Sequence, residues 1–306
     1  MGAAENQTSE ARRAVLEQQI RARGPVLDLS FAQSLYEPML QNQSREGVTV
    51  VRDLAYGPDA RHRLDVYRPE APANAPRPAI LFLPGGGFIR GDKAGRENIG
   101  FYFARNGHVV AVANYRLAPT HRWPAGAEDA GASFSWLRDR AADLGIDTAA
   151  MYLIGESAGA AHVAAATLVR KFHAPGGATQ AGTVLISGVY NPVLEKLARE
   201  QFGVATPDPR NEAYFGSDFS CYESMSTIAL IDAAPEAPLL ITFAELDLLQ
   251  MQVQACELFA RLVTEHGYQP QLRVIPGHNH LTQVYSVNTG DESLSAPVLD
   301  FLRNSR

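Results

Sequence analysis

The chain has 306 residues, 46% of them hydrophobic, which is enough for a large core; its formal net charge of −6 and lack of a Lys/Arg-rich tract argue against a nucleic-acid partner. Its two cysteines, Cys221 and Cys256, supply no disulfide framework. Residues 1–10 lack the apolar centre of a secretory signal and no apolar run approaches the length of a membrane span, so a cytoplasmic protein without a span is expected.

Residues 1–47 read as an N-terminal segment with a helix over 11–22. A second helical pattern follows in Phe31, Leu35, Tyr36, Met39 and Leu40. From residue 48 the pattern turns to strands: 48–51 and 63–67 form an antiparallel pair around the turn signal Tyr56-Gly57-Pro58-Asp59. A Pro-rich surface connection over 71–78 precedes a run of apolar strands at 79–83, 109–113, 151–154, 183–187, 239–243 and 271–275. Helices are expected between and after them at 98–106, 125–140, 158–172, 250–266 and 293–303. Short apolar strands alternating with helices mean an α/β fold, a mostly parallel sheet covered on both faces. The stretch 190–238 breaks this rhythm with prolines and with Phe202, Tyr214, Phe215, Phe219 and Tyr222. It is expected to join residues 1–47 as a cap on a catalytic domain of 48–306.

Gly155-Glu156-Ser157-Ala158-Gly159 spells G-x-S-x-G between an apolar run and a small-residue helix. A serine on such a strand-to-helix turn has an exposed Oγ, and the helix N-terminus offers free N–H groups to a developing oxyanion. A nucleophilic serine needs a base and an acid, which in this arrangement follow it in the order Ser, acid, His. Two carboxylates, Glu245 and Asp247, follow the strand at 239–243; Asp247 is favoured because the loop must pass the strand end before turning to the site, leaving Glu245 as a solvated neighbour. Two histidines, His278 and His280, follow the strand at 271–275. They could form part of a metal site, but no third ligand is evident, so no metal is expected. Leu83-Pro84-Gly85-Gly86-Gly87-Phe88 runs from a strand into three glycines, whose backbone can approach an oxyanion closely.

Together these motifs resemble the hormone-sensitive-lipase-like carboxylesterases of the α/β-hydrolase superfamily. The likeness runs from Arg63 to the C-terminus and includes Leu64-Asp65-Val66-Tyr67-Arg68-Pro69, Asn114-Tyr115-Arg116-Leu117-Ala118-Pro119, Trp123-Pro124-Ala125 with Glu128-Asp129, and Leu144-Gly145-Ile146-Asp147. The resemblance implies a triad of Ser157, Asp247 and His280, with His280 chosen over His278 because the family's histidine lies three after a glycine, here Gly277. It also implies oxyanion donors at the backbone N–H groups of Gly86, Gly87 and Ala158. The C-terminal half is further similar to feruloyl-esterase-like and kynurenine-formamidase-like hydrolases, through Leu185-Ile186-Ser187-Gly188-Val189-Tyr190 and Asn279-His280-Leu281-Thr282. One departure is Pro84, where the family's glycine loop opens with histidine. Ala160 replaces a common second glycine after the elbow.

The expected function is therefore that of a cofactor-free serine carboxylesterase acting on short-chain or aryl esters, with a small-molecule ester as its partner and homodimerisation left open. An arylformamidase-like amide hydrolase would use the same triad. A non-catalytic ligand receptor on the same fold would have no need of all three residues.

Overall fold

A computed structural model describes residues 2–174, 176–201 and 209–305. Its strands are β1 (Val48–Ala55), β2 (Arg63–Pro69), β3 (Arg77–Leu83), β4 (Val109–Ala113), β5 (Ile146–Glu156), β6 (Gly182–Ile186), β7 (Leu239–Leu246) and β8 (Gln271–Asn279). The helices are α1 (Gly2–Arg23), α2 (Leu29–Gln41), α3 (Glu97–Arg105), α4 (Ala125–Asp139), α5 (Ala141–Leu144) and α6 (Ala158–Leu168), then α7 (Pro192–Gln201), α8 (Pro209–Phe215), α9 (Thr227–Leu230), α10 (Leu249–His266), α11 (Thr282–Tyr285) and α12 (Ser295–Asn304).

The eight strands form one sheet in the order β1-β2-β4-β3-β5-β6-β7-β8. β1 and β2 are antiparallel, β2 meets β4 antiparallel, and every pair from β4 to β8 is parallel. Strand side chains alternate between faces, so the two halves of each apolar run serve two different cores. Leu81, Leu83, Leu153, Leu185 and Ile241 pack with Phe134 and Leu137 of α4, Val163 and Ala164 of α6, and Leu258 and Leu262 of α10. Ile80, Phe82, Tyr152, Ile154, Val184 and Leu240 pack on the other face with Ile99 and Phe103 of α3 and Val298 and Leu302 of α12. Each such Leu, Ile or Val contributes about 1.5–3 kcal/mol by leaving water.

The element boundaries differ from the expected ones mainly by extension. β5 begins at Ile146 rather than 151, and β7 and β8 continue to Leu246 and Asn279, carrying ladder structure to the edge of the site. The helix expected over 158–172 ends at Leu168 and tightens into a 3₁₀ turn over Arg170–Phe172. The helix expected over 11–22 is the longer α1.

A third cluster lies above the sheet: Tyr214, Phe215 and Tyr222 of the 190–238 stretch pack on Phe88, Ala158, Ala161 and Met251. Phe88 and Tyr214 stack face to face, with ring centroids 4.5 Å apart and planes 2° apart. Phe202, also expected in this stretch, falls outside the described residues.

Candidate active site

β3, β5, β7 and β8 end at one edge of the sheet, and each delivers one part of the site. In parallel sheets this carboxyl edge is where ligand sites form. After β5, Ser157 adopts φ 51° and ψ −120°, a conformation that L-residues rarely hold and that turns Oγ outward ahead of α6. The elbow needs Gly159, because a Cβ there would stand 2.2 Å from the carbonyl oxygen of Leu83.

Ser157, Asp247 and His280 stand in one hydrogen-bonded line. His280 Nε2 lies 2.9 Å from Ser157 Oγ, and Nδ1 lies 2.7 Å from Asp247 Oδ1. A carboxylate only accepts, so Nδ1 carries the proton and Nε2 is left to accept from the serine hydroxyl. Asp247 is fully buried and also accepts from the N–H of Leu248 at 2.9 Å, the N–H of Ala244 at 3.2 Å and the hydroxyl of Ser187 at 2.5 Å.

Glu245 is exposed, as expected of a solvated neighbour, but it is held by partners. Its carboxylate takes a two-pronged ion pair from Arg21 of α1, both contacts 2.8 Å, and accepts the N–H of Gly277 at 2.9 Å. It therefore ties α1 to the loops carrying Asp247 and His280. His278 departs from a solvated loop histidine. It is buried, 3.3 Å from Asp291 through Nε2 and 3.3 Å from Thr282 Oγ1 through Nδ1, and it turns away from His280's partners. Burial alone would raise the Asp291 carboxyl, but the facing His278 and hydrogen bonds from Ser293 hold it well below the usual carboxylate range.

The glycine loop follows β3. Gly86 has φ 152°, and a Cβ there would lie 1.9 Å from the Arg90 carbonyl, so only glycine fits. Among the described residues no acceptor takes the N–H of Gly86, Gly87 or Ala158; all three residues line the same cavity as Ser157 and His280. Ala158 N–H is free because it opens a helix. The Pro84 carbonyl accepts the Tyr115 hydroxyl at 2.8 Å, so the loop entrance is anchored through backbone. Burial pushes the Tyr115 phenol upward, which keeps it a hydrogen-bond donor.

Beneath the loop, His162 is fully buried among Phe88, Tyr115 and Tyr214. Burial pushes it down to about 3, against a weaker upward pull from Asp129, so it is neutral. On the other flank Arg96 donates from Nε to Glu156 at 2.8 Å and from Nη2 to the second oxygen, and its guanidinium lies 4.8 Å over the Tyr285 ring. Residues of the expected motifs outside the cavity are structural: Arg116 Nε donates to Asp129 at 2.9 Å, and His62 Nε2 lies 3.0 Å from the same carboxylate.

The cavity holds about 230 Å³. Leu27 and Leu29, at the start of α2, line it from one side, and Arg210 and Asn211 of α8 from another. Phe88, Val189, Met251 and Tyr285 supply more of its apolar wall. Sequence reasoning left Ser187, Gln283, Tyr115 and Arg96 without site roles. For Ser187 the available signal was a hydroxyl at the end of the strand beside the acid's strand.

The profile of a family described as alpha/beta hydrolase fold matches residues 80–284. The chain belongs to the α/β-hydrolase fold family. The chain is 35% identical over 122 residues to "Probable isoprenylcysteine alpha-carbonyl methylesterase" of Arabidopsis thaliana, a match covering 40% of the chain and 25% of the relative. It thus spans about a quarter of the length of that methylesterase. It is 28% identical over 260 residues to "Ethyl acetate hydrolase" of Pseudomonas putida, covering 80% of each. Among solved structures, "Bacterial Heroin Esterase" superposes with a TM-score of 0.73 at 26% identity over 90% of both chains. Among the described residues no helix is long and apolar enough to cross a membrane, and no group of three or more His, Cys, Asp or Glu is arranged to hold a metal ion.

Proposed function

We propose that the protein is a serine carboxylesterase that cleaves short-chain or aryl carboxylic esters through an acyl-enzyme on Ser157. The observation that carries this reading is the line Ser157–His280–Asp247 opening into a cavity beside three unengaged backbone N–H groups.

Ser157 Oγ attacks the ester carbonyl as its proton passes to His280 Nε2, and Asp247 holds the imidazolium through Nδ1–H. The carbonyl oxygen becomes an oxyanion that accepts hydrogen bonds from the N–H groups of Gly86, Gly87 and Ala158; a donor of this kind lowers the barrier by about 3–4 kcal/mol. Collapse breaks the ester C–O bond, and the leaving alcohol takes the proton from Nε2. Water then gives a proton to Nε2 and attacks the acyl carbon; as the bond from the acyl carbon to Oγ breaks, Nε2 returns that proton to Ser157 Oγ and the acid is released. This scheme calls for no cofactor.

Residues 1–47 and 190–238 act as a cap, a reading supported by Leu27, Leu29, Arg210 and Asn211 at the cavity wall. Relatives named for a methyl ester, ethyl acetate and heroin support an ester with one small arm. A cavity of about 230 Å³ suits the same choice.

A fluorophosphonate should label the wild type at Ser157, and Ser157→Ala should lose both the label and hydrolysis of p-nitrophenyl esters. Absence of labelling, with bound ester left intact, would make the protein a receptor. Faster turnover of an N-formyl arylamine than of any ester in a panel from acetate to palmitate would replace the ester reading with an amide one.

A further inference from the structure

Ser187 follows β6 with φ 50°, in the left-handed region that L-residues enter at a cost. Its side chain is almost wholly buried, and so are those of its neighbours Asp247 and Gln283. Its N–H is fixed by the Thr242 carbonyl at 2.8 Å, so the hydroxyl is held in place beside the end of β7. Ser187 Oγ lies 2.5 Å from Asp247 Oδ2, and Gln283 Nε2 lies 2.6 Å from Ser187 Oγ and 3.2 Å from the His280 carbonyl oxygen.

The direction of every bond in this chain is forced. The His280 carbonyl only accepts, so the Gln283 amide must face it with NH₂ rather than oxygen. The same NH₂ then donates to Ser187 Oγ, whose single proton goes to Asp247 Oδ2. Asp247 is thus gripped on Oδ2 by Ser187 and by the N–H of Ala244, leaving Oδ1 to face His280 Nδ1. The terminal torsion of an aspartate is otherwise soft, and a carboxylate turned out of this plane would lose its alignment with the imidazole.

We propose that Ser187 and Gln283 are positioning residues: a relay that sets the plane of the Asp247 carboxylate and ties it to the backbone of His280. The proposal rests on the triad reading given above. Through it, the acid carried by β7 and the base carried by β8 keep their register when substrate enters. Their hydrogen bonds run to the Asp247 carboxylate and the His280 backbone carbonyl rather than to Ser157 Oγ.

The test uses full-length protein and p-nitrophenyl acetate. Ser187→Ala and Ser187→Gly both remove the hydroxyl, but only glycine also relieves the backbone, so agreement between them isolates the hydroxyl. Both should lower kcat by about 10- to 100-fold, the range for a hydrogen bond to a charged group, with KM within about twofold. Without the Ser187 proton, more negative charge remains on Asp247 to favour imidazolium, so the acid limb of the kcat/KM profile should move to higher pH. Gln283→Leu should lower kcat less, and Ser187→Ala/Gln283→Leu should fall no further than Ser187→Ala, because the two act in series. Folding is checked by thermal melting, and labelling by fluorophosphonate confirms that Ser157 still reacts. Unchanged kcat and an unmoved acid limb in both Ser187 variants overturn the relay, as does full additivity in the double variant. If Ser157→Ala or Asp247→Asn keeps wild-type activity, the triad reading itself fails, an outcome distinct from these.

Discussion

The hydroxyl of Tyr115 donates to the carbonyl oxygen of Pro84, 2.8 Å away, under the entrance to the glycine loop. A proline stands where the resemblance implies a histidine, and the anchoring is supplied by a neighbouring phenol acting on the main chain. Proline fixes φ and needs no donor of its own, so the two devices are complementary. Tyr115→Phe should leave the carbonyl unsatisfied, costing about 1–3 kcal/mol of stability. It should also lower kcat with little change in KM, because drifting Gly86 and Gly87 N–H groups lose the oxyanion rather than the ground state. Equal kcat for the variant and the wild type would mean that the stacking of Phe88 on Tyr214 holds the loop unaided.

The two histidines after β8 should separate cleanly. His280→Ala should reduce hydrolysis by several orders of magnitude with a near-normal melting temperature. His278→Ala should keep most of its activity while melting earlier, since it breaks a buried contact with Asp291 and Thr282. A larger loss of turnover from His278→Ala would reverse the assignment of the base.

His162 gives the fold an acid-sensitive point. Its folded value of about 3 lies below the ordinary 6.5, so the neutral ring is the folded form. The unfolded chain binds the extra proton as pH falls below about 6.5, and the stability tied to the neutral ring is lost progressively from there toward about 3. The slope approaches about 1.4 kcal/mol per pH unit for this one group. Denaturant melts of His162→Gln between those limits should show a shallower decline than wild type. Parallel slopes would place the acid sensitivity elsewhere.

The N-terminal segment makes two kinds of contact, and they should respond to different changes. Arg21→Ala should loosen α1 from Glu245 with only a slight loss of stability, because the pair is exposed and screened. Deleting residues 1–43 also removes Leu27 and Leu29 from the cavity wall, so acyl-chain preference or KM should shift. An unaltered ester profile after that deletion would remove the segment from the substrate pocket.

Much of the fold was legible because its strands are continuous apolar runs. The α/β class, the antiparallel start at β1 and β2 and the parallel remainder all follow from runs such as Ala79–Leu83 and Val109–Ala113, which are buried on both faces. Ser157 was nameable from its G-x-S-x-G turn after such a run and Asp247 from its place past a strand end, whereas His280 was chosen over His278 through the family resemblance. What stayed hidden was pairing across distance. Arg21 and Glu245 are polar residues on exposed surfaces 224 positions apart, and nothing in local periodicity links them. Ser187 and Gln283 were invisible for a related reason: a small hydroxyl and an amide acquire a role only once the ends of β6, β7 and β8 converge. Glu245 is exposed as expected of a solvated neighbour, and the folding of α1 over that edge is what brings it a partner.

The seat of α1 has a consequence for the order in which the molecule can be assembled. Glu245 and Gly277, which α1 docks against, lie on β7 and β8, with Glu245 224 positions after Arg21 of α1. During synthesis α1 therefore has no docking site until β7 and β8 have emerged and paired. Closing so long a loop costs little more than closing a short one, since the entropy grows only with the logarithm of length. The delay is one of sequence rather than of energy: the helix that overlies the loops of Asp247 and His280 waits for β8.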